Sequence, residues 1–390
     1  MTKLALGCGV IVAVILSGLS GPLRLEAQRQ TTKPPTPADV LDAAQQGKAQ
    51  DAWALWEKLP TGTDKLRLGI DVAALTRQVG RGLDLYDAVT NRGLNPDRAA
   101  LKALSLAAAA DLADSPDLDT RAAACSAALV LDVTHAPCLR ALKAMTEPGR
   151  SSDEQAFGIA ALANARIAPY PERLGKLSLR SAVRVRFVQS LTRLPSAERL
   201  ALVRPMLSDA DAATQYQAVL FLSNIPGPEV TAVLKNVQPN GPLRQALAIA
   251  RARHGDSVSL ASVGPMLVDL DPYLKIQAAQ ALAEAGDSRG VPALREMIAN
   301  GIDVYRVSAA DALSAFDLNA ARRALTELLA GSSAAVRPAV IYAAGRAGLG
   351  IERGIYRELA AATPADRASA VSALADTLMP AVRPKPPSQP

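Results

Sequence analysis

The side chains able to do chemistry are few and far apart. Two histidines, His135 and His254, are the whole imidazole complement of the chain. A zinc site needs ligands gathered at short spacing, and nucleophilic catalysis needs a base beside its nucleophile. His135 sits in the turn Thr134-His135-Ala136-Pro137, and His254 closes an apolar-periodic stretch just before Gly255. A positive charge at that helix end would complement the dipole, so both histidines read as structural. No Gly-rich loop ending in Lys-Ser or Lys-Thr and no Gly-x-Ser-x-Gly elbow occurs. The sequence therefore offers no catalytic residue, no metal ligand set and no cofactor site.

Three other groups carry specific chemistry. Cys125 and Cys138 would be the only thiols of a mature exported chain, and an oxidising compartment favours joining them. If Ala122 to Leu131 is one helix and Pro137 opens the next, the two cysteines are offset along the hairpin by a distance near the limit for a bridge. A disulfide and two buried thiols both remain open readings. Trp53 and Trp56 are three residues apart and share a helical face, either as packing or as an exposed anchor. Between Arg173 and Ala197, the cations Arg173, Lys176, Arg180, Arg184, Arg186 and Arg193 occur with no acidic residue. They form either a solvated helix face or a basic patch for an acidic partner. The stretch has too few aromatics to stack nucleic-acid bases, and no nucleic-acid partner is expected.

These residues must be positioned by helices. Half the residues (49%) are hydrophobic but only 3% are aromatic, so the apolar surface is mostly Ala, Leu and Val, which suits closely packed helices. A length of 390 residues exceeds one ordinary core. The net charge of +6 is small for that length and does not single out a polyanion.

The first 27 residues have the layout of a secretory leader. Lys3 is followed by an uncharged run from Leu4 to Leu23 and a small residue, Ala27, for cleavage. The alternative is an uncleaved anchor, since twenty uncharged residues just span a bilayer. Membrane contact is expected only in that case. Cys8 comes too early in the run to serve as a lipidated residue. Residues 28–38 form a Pro-rich linker, and 380–390, with five prolines, form a basic tail that cannot continue a helix. The body is expected to be periplasmic or secreted.

A period of 31 residues organises the C-terminal half. Ile276-Gln277-Ala278-Ala279-Gln280-Ala281-Leu282 is echoed by Val307-Ser308-Ala309-Ala310-Asp311-Ala312-Leu313, and Leu294 and Met297 by Leu325 and Leu328. Arg337, Val340, Ile341, Ala343 and Ala344 repeat the spacing, and Arg367, Val371 and Leu374 close it. Within the unit, apolar positions 278, 279, 281, 282 and 285 mark one helical face. Gly286-Asp287 stops that helix, and Pro292 starts the next. A lone hairpin of this kind cannot bury its face, so neighbours must stack.

Asp271 to Gly301 resembles a HEAT repeat of the short, phycobilin-lyase-like type, with Ala-Ala-x-Ala-Leu in the first helix, then Gly-Asp and Val-Pro-x-Leu. The next unit has Phe316-Asp317 in place of Gly-Asp, and units before residue 240 keep only the apolar spacing. The resemblance implies an all-α solenoid of stacked antiparallel helix pairs, an ARM-type superhelix that binds proteins. It implies no lyase chemistry. HEAT-like units are expected over 149–379. Residues 39–148 are expected to form helical hairpins of another kind, Gly82 to Leu104 being similar to a tetratricopeptide or pentatricopeptide pair with its turn at Gly93-Leu94-Asn95-Pro96. The function expected is an exported scaffold binding a protein partner through the solenoid surface. The alternative is an enzyme, or an enzyme's accessory subunit, acting on a cell-envelope substrate.

Overall fold

The computed structural model describes residues 34–92, 97–167, 194–241, 243–351 and 354–379. The leader-like segment, Cys8, the turn at Gly93-Leu94-Asn95-Pro96, all six cations from Arg173 to Arg193 and the tail from 380 lie outside them. The chain from Pro35 onward is one compact unit, and its described residues form helices and turns without strands. No helix among them is long and apolar enough to cross a membrane.

Four hairpin helices lead in: α1 (Pro37–Gln45), α2 (Ala49–Glu57), α3 (Thr63–Leu75) and α4 (Val79–Thr90). Gly47, at φ +75, turns α1 into α2, as the sequence requires of a glycine there. Next come α5 (Arg98–Leu112), α6 (Leu118–Leu131), α7 (Ala136–Met145) and α8 (Ser152–Asn164). Beyond residue 193 the array continues with α9 (Ser196–Val203), α10 (Ala212–Ser223), α11 (Pro228–Asn236), α12 (Leu243–Arg253), α13 (Ser257–Val263), α14 (Pro272–Glu284) and α15 (Gly290–Asn300). It ends with α16 (Asp303–Leu313), α17 (Leu318–Gly331), α18 (Arg337–Arg346) and α19 (Pro364–Leu378). Short 3-10 helices follow α9 and α13, and another, Ile355–Ala360, separates α18 from α19.

The 31-residue period is visible as recurring turn chemistry. At the end of α14 the Asp287 N–H donates to the Leu282 carbonyl at 2.9 Å and the Gly286 N–H to Ala283 at 3.1 Å, a Schellman turn with Gly286 at φ +76. The same pair of bonds recurs 31 residues earlier at Gly255-Asp256 and 62 residues later at Gly348-Leu349. Between them the period lands on Asp317, which caps α17 instead, its side chain accepting from the Ala320 N–H. Arg306 and Arg337 show a second periodic bond, each donating back eight residues, to the carbonyls of Ile298 and Leu329 at 2.8 and 2.9 Å. Pro292 falls in the first turn of α15 rather than at its first residue. The helix starts at Gly290, because the Asp287 carboxylate accepts from the Arg289 N–H and fixes the turn earlier.

The first helix of each unit packs on the first helix of the next, giving the rows α6–α8 and α10–α12–α14–α16–α18. Their core is Ala and Leu at the predicted positions: Ala278, Ala279, Ala281 and Leu282 are all fully buried. Across the middle of this row a buried guanidinium ties three units together. Arg253 makes two parallel bonds of 2.6 Å to Glu284 in the following unit and one of 2.7 Å to Asn224 in the preceding one.

The two ends of the described array meet. Helix α19 packs on α18 and also on α5 and α6, while the 3-10 helix at Ile355–Ala360 packs on α4. One hydrophobic core accordingly holds Leu104, Ala128 and Leu129 together with Ile341, Val371 and Leu374. Polar contacts fasten the joint from outside. Tyr356 donates its hydroxyl to Asp87 at 2.6 Å, and Arg357 pairs with Asp84 at 2.9 Å and with Asp87. Tyr86, buried beneath, meets the Tyr356 ring edge-on at 5.2 Å. Its phenol is pushed up to about 12 by burial, with the Asp97 carboxylate adding to the effect. Tyr356→Phe is expected to cost about 1 kcal/mol. Arg357→Ala, at a partly exposed pair, should cost less than about 1 kcal/mol and lose that effect in high salt. Thermal melts at low and high salt check both, and a salt-independent loss on removing Arg357 contradicts the assignment.

Candidate functional site

Where the ends meet, the first-helix row borders an open cavity of 520 Å³ between α6, α8, α18 and α19. Its walls are small and mostly apolar: Ala122, Ala123 and Ala127 from α6, Ala160 and Ala161 from α8, Ala339 from α18 and Ala375 from α19, with Phe157, Val130 and Tyr342 as the larger surfaces. Small residues recur here because each unit contributes its Ala-rich first helix. The lining is completed by polar side chains, among them Ser126, Ser369, Ser372 and Asn164. Among the described residues of its lining the charged ones are Asp119 and Asp376, and both are engaged in polar interactions. Near one end, Arg346 of α18 pairs with Asp311 at 3.4 Å. The Asp311 carboxylate holds the Arg346 guanidinium up, and Asp376 adds to the pull. The described walls of the cavity are therefore mainly apolar.

A second cavity, 610 Å³, lies under the N-terminal hairpins, where Asp71, Arg77 and His135 are the ionisable residues among its lining. Burial pushes the Asp71 carboxyl up, with help from the Asp97 charge, and burial pushes the His135 imidazole down. The charges acting on His135 are Asp132 and Arg77, so Asp71 and His135 are not coupled as an acid–base pair. Arg77 is engaged with Asp111 at 3.6 Å. Its described lining carries charges of both signs.

The residues singled out in sequence are scattered by the fold. His254 lies half-buried at the end of α12, its Nδ1 at 3.0 Å from the Thr231 hydroxyl and its Nε2 at 3.3 Å from the Leu222 carbonyl. Burial lowers its pKa, so the imidazole is held toward neutrality and the expected dipole-complementing charge is disfavoured there. The unfolded chain takes up a proton near the ordinary value of 6.5, whereas the folded chain resists until a lower pH. Stability is thus complete above the ordinary value and is lost as pH falls through it toward the folded value. Thermal midpoints at about pH 7.5 and about pH 5.5 should show this loss, and His254→Gln should shrink it. An unchanged pH slope in that variant contradicts the assignment.

Cys125 and Cys138 are free thiols, both fully buried. They face each other across α6 and α7: a hydrogen bond to the Cys125 thiol, together with burial, holds the Cys138 thiol firmly protonated. The Cys138 thiol also reaches the Ala109 carbonyl at 3.6 Å. Trp53 is buried in the core of the first hairpins with the Arg81 guanidinium 3.5 Å above its ring, and Trp56 donates from Nε1 to the Lys65 carbonyl at 2.7 Å. The pair is packing, not an exposed anchor. Among the described residues no group of His, Cys, Asp and Glu is placed to hold a metal ion. The cavity at the joint was missed by sequence reasoning, because its walls come from helices far apart in the chain, α6 and α8 on one side and α18 and α19 on the other, and Ala-rich faces look alike wherever they sit.

The family model of HEAT repeats matches residues 260–345. That span runs from within α13 to α18 and includes the unit at Asp271 to Gly301. With the helical stacking described above, it makes the chain a HEAT-repeat protein with an all-α solenoid fold. No curated protein matches the chain.

Proposed function

We propose that this HEAT-repeat chain is an exported scaffold that holds a segment of a protein partner in the cavity between α6, α8, α18 and α19. The observation that carries this reading is the cavity itself. Its described walls are small and mostly apolar, and it lies at the joint of the array. Such a lining suits an apolar polypeptide stretch, whose side chains the walls would remove from water. Export rests on the leader-like composition of residues 1–27.

Ala123 and Ala339 are exposed residues of the cavity wall, so a photoreactive phenylalanine at either position is tolerated by the core. Cross-linking in native envelope extract is expected to capture the same polypeptide from both positions and not from Glu296, an exposed residue of α15. Capture at neither position, or the same products from Glu296, overturns the reading. For export, the amino terminus of the envelope form is expected at Gln28, and cytoplasmic material starting at Met1 contradicts it.

A further inference from the structure

The turn that leads into α14 carries apolar side chains that the fold does not use. Val268 and Leu270 are 83% and 96% exposed, and Ile302 and Tyr273 beside them are 65% and 47% exposed. Tyr273 meets Tyr305 edge-on at 5.0 Å, which joins two units at this surface; Val268 and Leu270 shortly precede Tyr273 in the chain, and Ile302 shortly precedes Tyr305.

An internal control shows that the turn needs none of them. Sixty residues earlier the same turn leads into α10. Pro205-Met206-Leu207-Ser208-Asp209-Ala210-Asp211 stands where Pro265-Met266-Leu267-Val268-Asp269-Leu270-Asp271 stands later. Both copies begin within a 3-10 helix, both bury the methionine, and in both the second aspartate N–H donates to the first carboxylate at 3.0 Å. Each second aspartate then caps the following helix. Ser208 and Ala210 occupy the two outward positions of the first copy and build an equivalent turn. Val268 and Leu270 are therefore surplus to folding, and leaving them in water forgoes the hydrophobic stabilisation they would gain on burial.

The charge around the ridge selects among occupants. Asp269 and Asp271 have no ion-pair partner among the described residues, and their hydrogen bonds come from neutral donors: Gln245, the Asp271 N–H and the Tyr273 N–H. Their field reaches the half-buried Tyr216, whose phenol is pushed up first by burial and then by these two carboxylates. An anionic lipid surface would be repelled, and two like-charged ridges would repel each other.

We propose that Val268, Leu270, Tyr273 and Ile302, flanked by Asp269 and Asp271, form a docking ridge for a polypeptide segment that sets aliphatic side chains beside Lys or Arg. This surface is separate from the cavity between α6, α8, α18 and α19, and stands or falls independently of it.

The test uses the full chain and three probes: a labelled amphipathic peptide of Leu and Lys, its Leu and Glu counterpart, and anionic phospholipid vesicles. The variant is Val268→Ser with Leu270→Ala, which writes the first copy of the turn into the second and so preserves the fold. Anisotropy titrations are expected to show the Leu/Lys peptide binding the parent at least tenfold more tightly than the variant. The Leu/Glu peptide should bind the parent at least tenfold more weakly than the Leu/Lys peptide. The variant should melt no lower than the parent, and Asp271→Asn should weaken Leu/Lys binding in low salt only. Equal affinity of parent and variant for the Leu/Lys peptide overturns the proposal, as does equal binding of both peptides to the parent. Vesicle binding or concentration-dependent dimerisation that disappears in the variant also overturns it, assigning the ridge to a membrane or to a second copy. Retention of this binding when Ala123→Trp fills the cavity separates the ridge from the proposed function.

Discussion

Replacing Gly345 by alanine is expected to destabilise the whole compact unit by about 3 kcal/mol, the upper part of the usual range for an overpacked contact. A Cβ at that position would stand 2.2 Å from the Cβ of Ala373 and 2.7 Å from its Cα. Both are far inside van der Waals contact, and the second atom is backbone, which no rotamer change can move. The contact lies in the crossing of α18 and α19, the same helix that packs on α5 and α6. Separating α18 from α19 to admit one methyl group therefore loosens the joint as well. Ala373→Gly in the Gly345→Ala background removes the Cβ clash but leaves the Cα one, so a double-mutant cycle should show partial rescue. Denaturant midpoints measure all four species. A loss under about 0.5 kcal/mol for Gly345→Ala contradicts the close crossing.

Arg253→Met should cost a similar amount, about 3 kcal/mol, for a different reason. The Arg253 side chain is only 7% exposed, and its fork makes two bonds of 2.6 Å to Glu284. Removing it leaves the Glu284 carboxylate without its cation in a partly buried site, and takes away the bonds to the Ser223 hydroxyl and the Asn224 side-chain carbonyl at 3.2 and 2.7 Å. Arg253→Lys should restore little, because a single ammonium cannot make the parallel pair. Arg253→Met with Glu284→Gln should recover part of the loss, since no carboxylate is then left unpaired. Full stability of Arg253→Lys contradicts this account.

Much of the array could be read before any coordinates. The 31-residue period, Gly286 as a left-handed stop, the buried Ala278, Ala279, Ala281 and Leu282, and the matched Arg306 and Arg337 all follow from periodicity and turn chemistry, which are local. The HEAT resemblance around Asp271 to Gly301 lies inside the matched span at 260–345. What escaped is non-local. Nothing in the residues of α19 says that its Ala-rich face meets α6, because Ala and Leu at helical spacing fit any neighbour in the stack. The cavity at that joint was invisible for the same reason. The hydrogen-bonded approach of Cys125 and Cys138 also depends on helix phase, which a count of residues along a hairpin does not fix. The basic stretch from Arg173 to Arg193 lies outside the described residues, and the two readings given to it stand as they did.

The last unit of the solenoid docks on the N-terminal hairpins, and an engineered disulfide can trap that contact. An ideal Cβ on Gly80 of α4 lies 3.8 Å from the Cβ of Ala360, which is the usual spacing across a disulfide. Gly80→Cys with Ala360→Cys, in a chain whose Cys8 is replaced by Ser, brings together thiols 280 residues apart in sequence. The buried Cys125 and Cys138 are kept as they are. Mild oxidation of the folded protein should form the 80–360 cross-link nearly completely, seen as faster migration in non-reducing gels and as the linked peptide in mass spectra. If positions 80 and 360 stay reduced and are both alkylated under native conditions, the ends of the array do not meet, and the cavity between them is not a site.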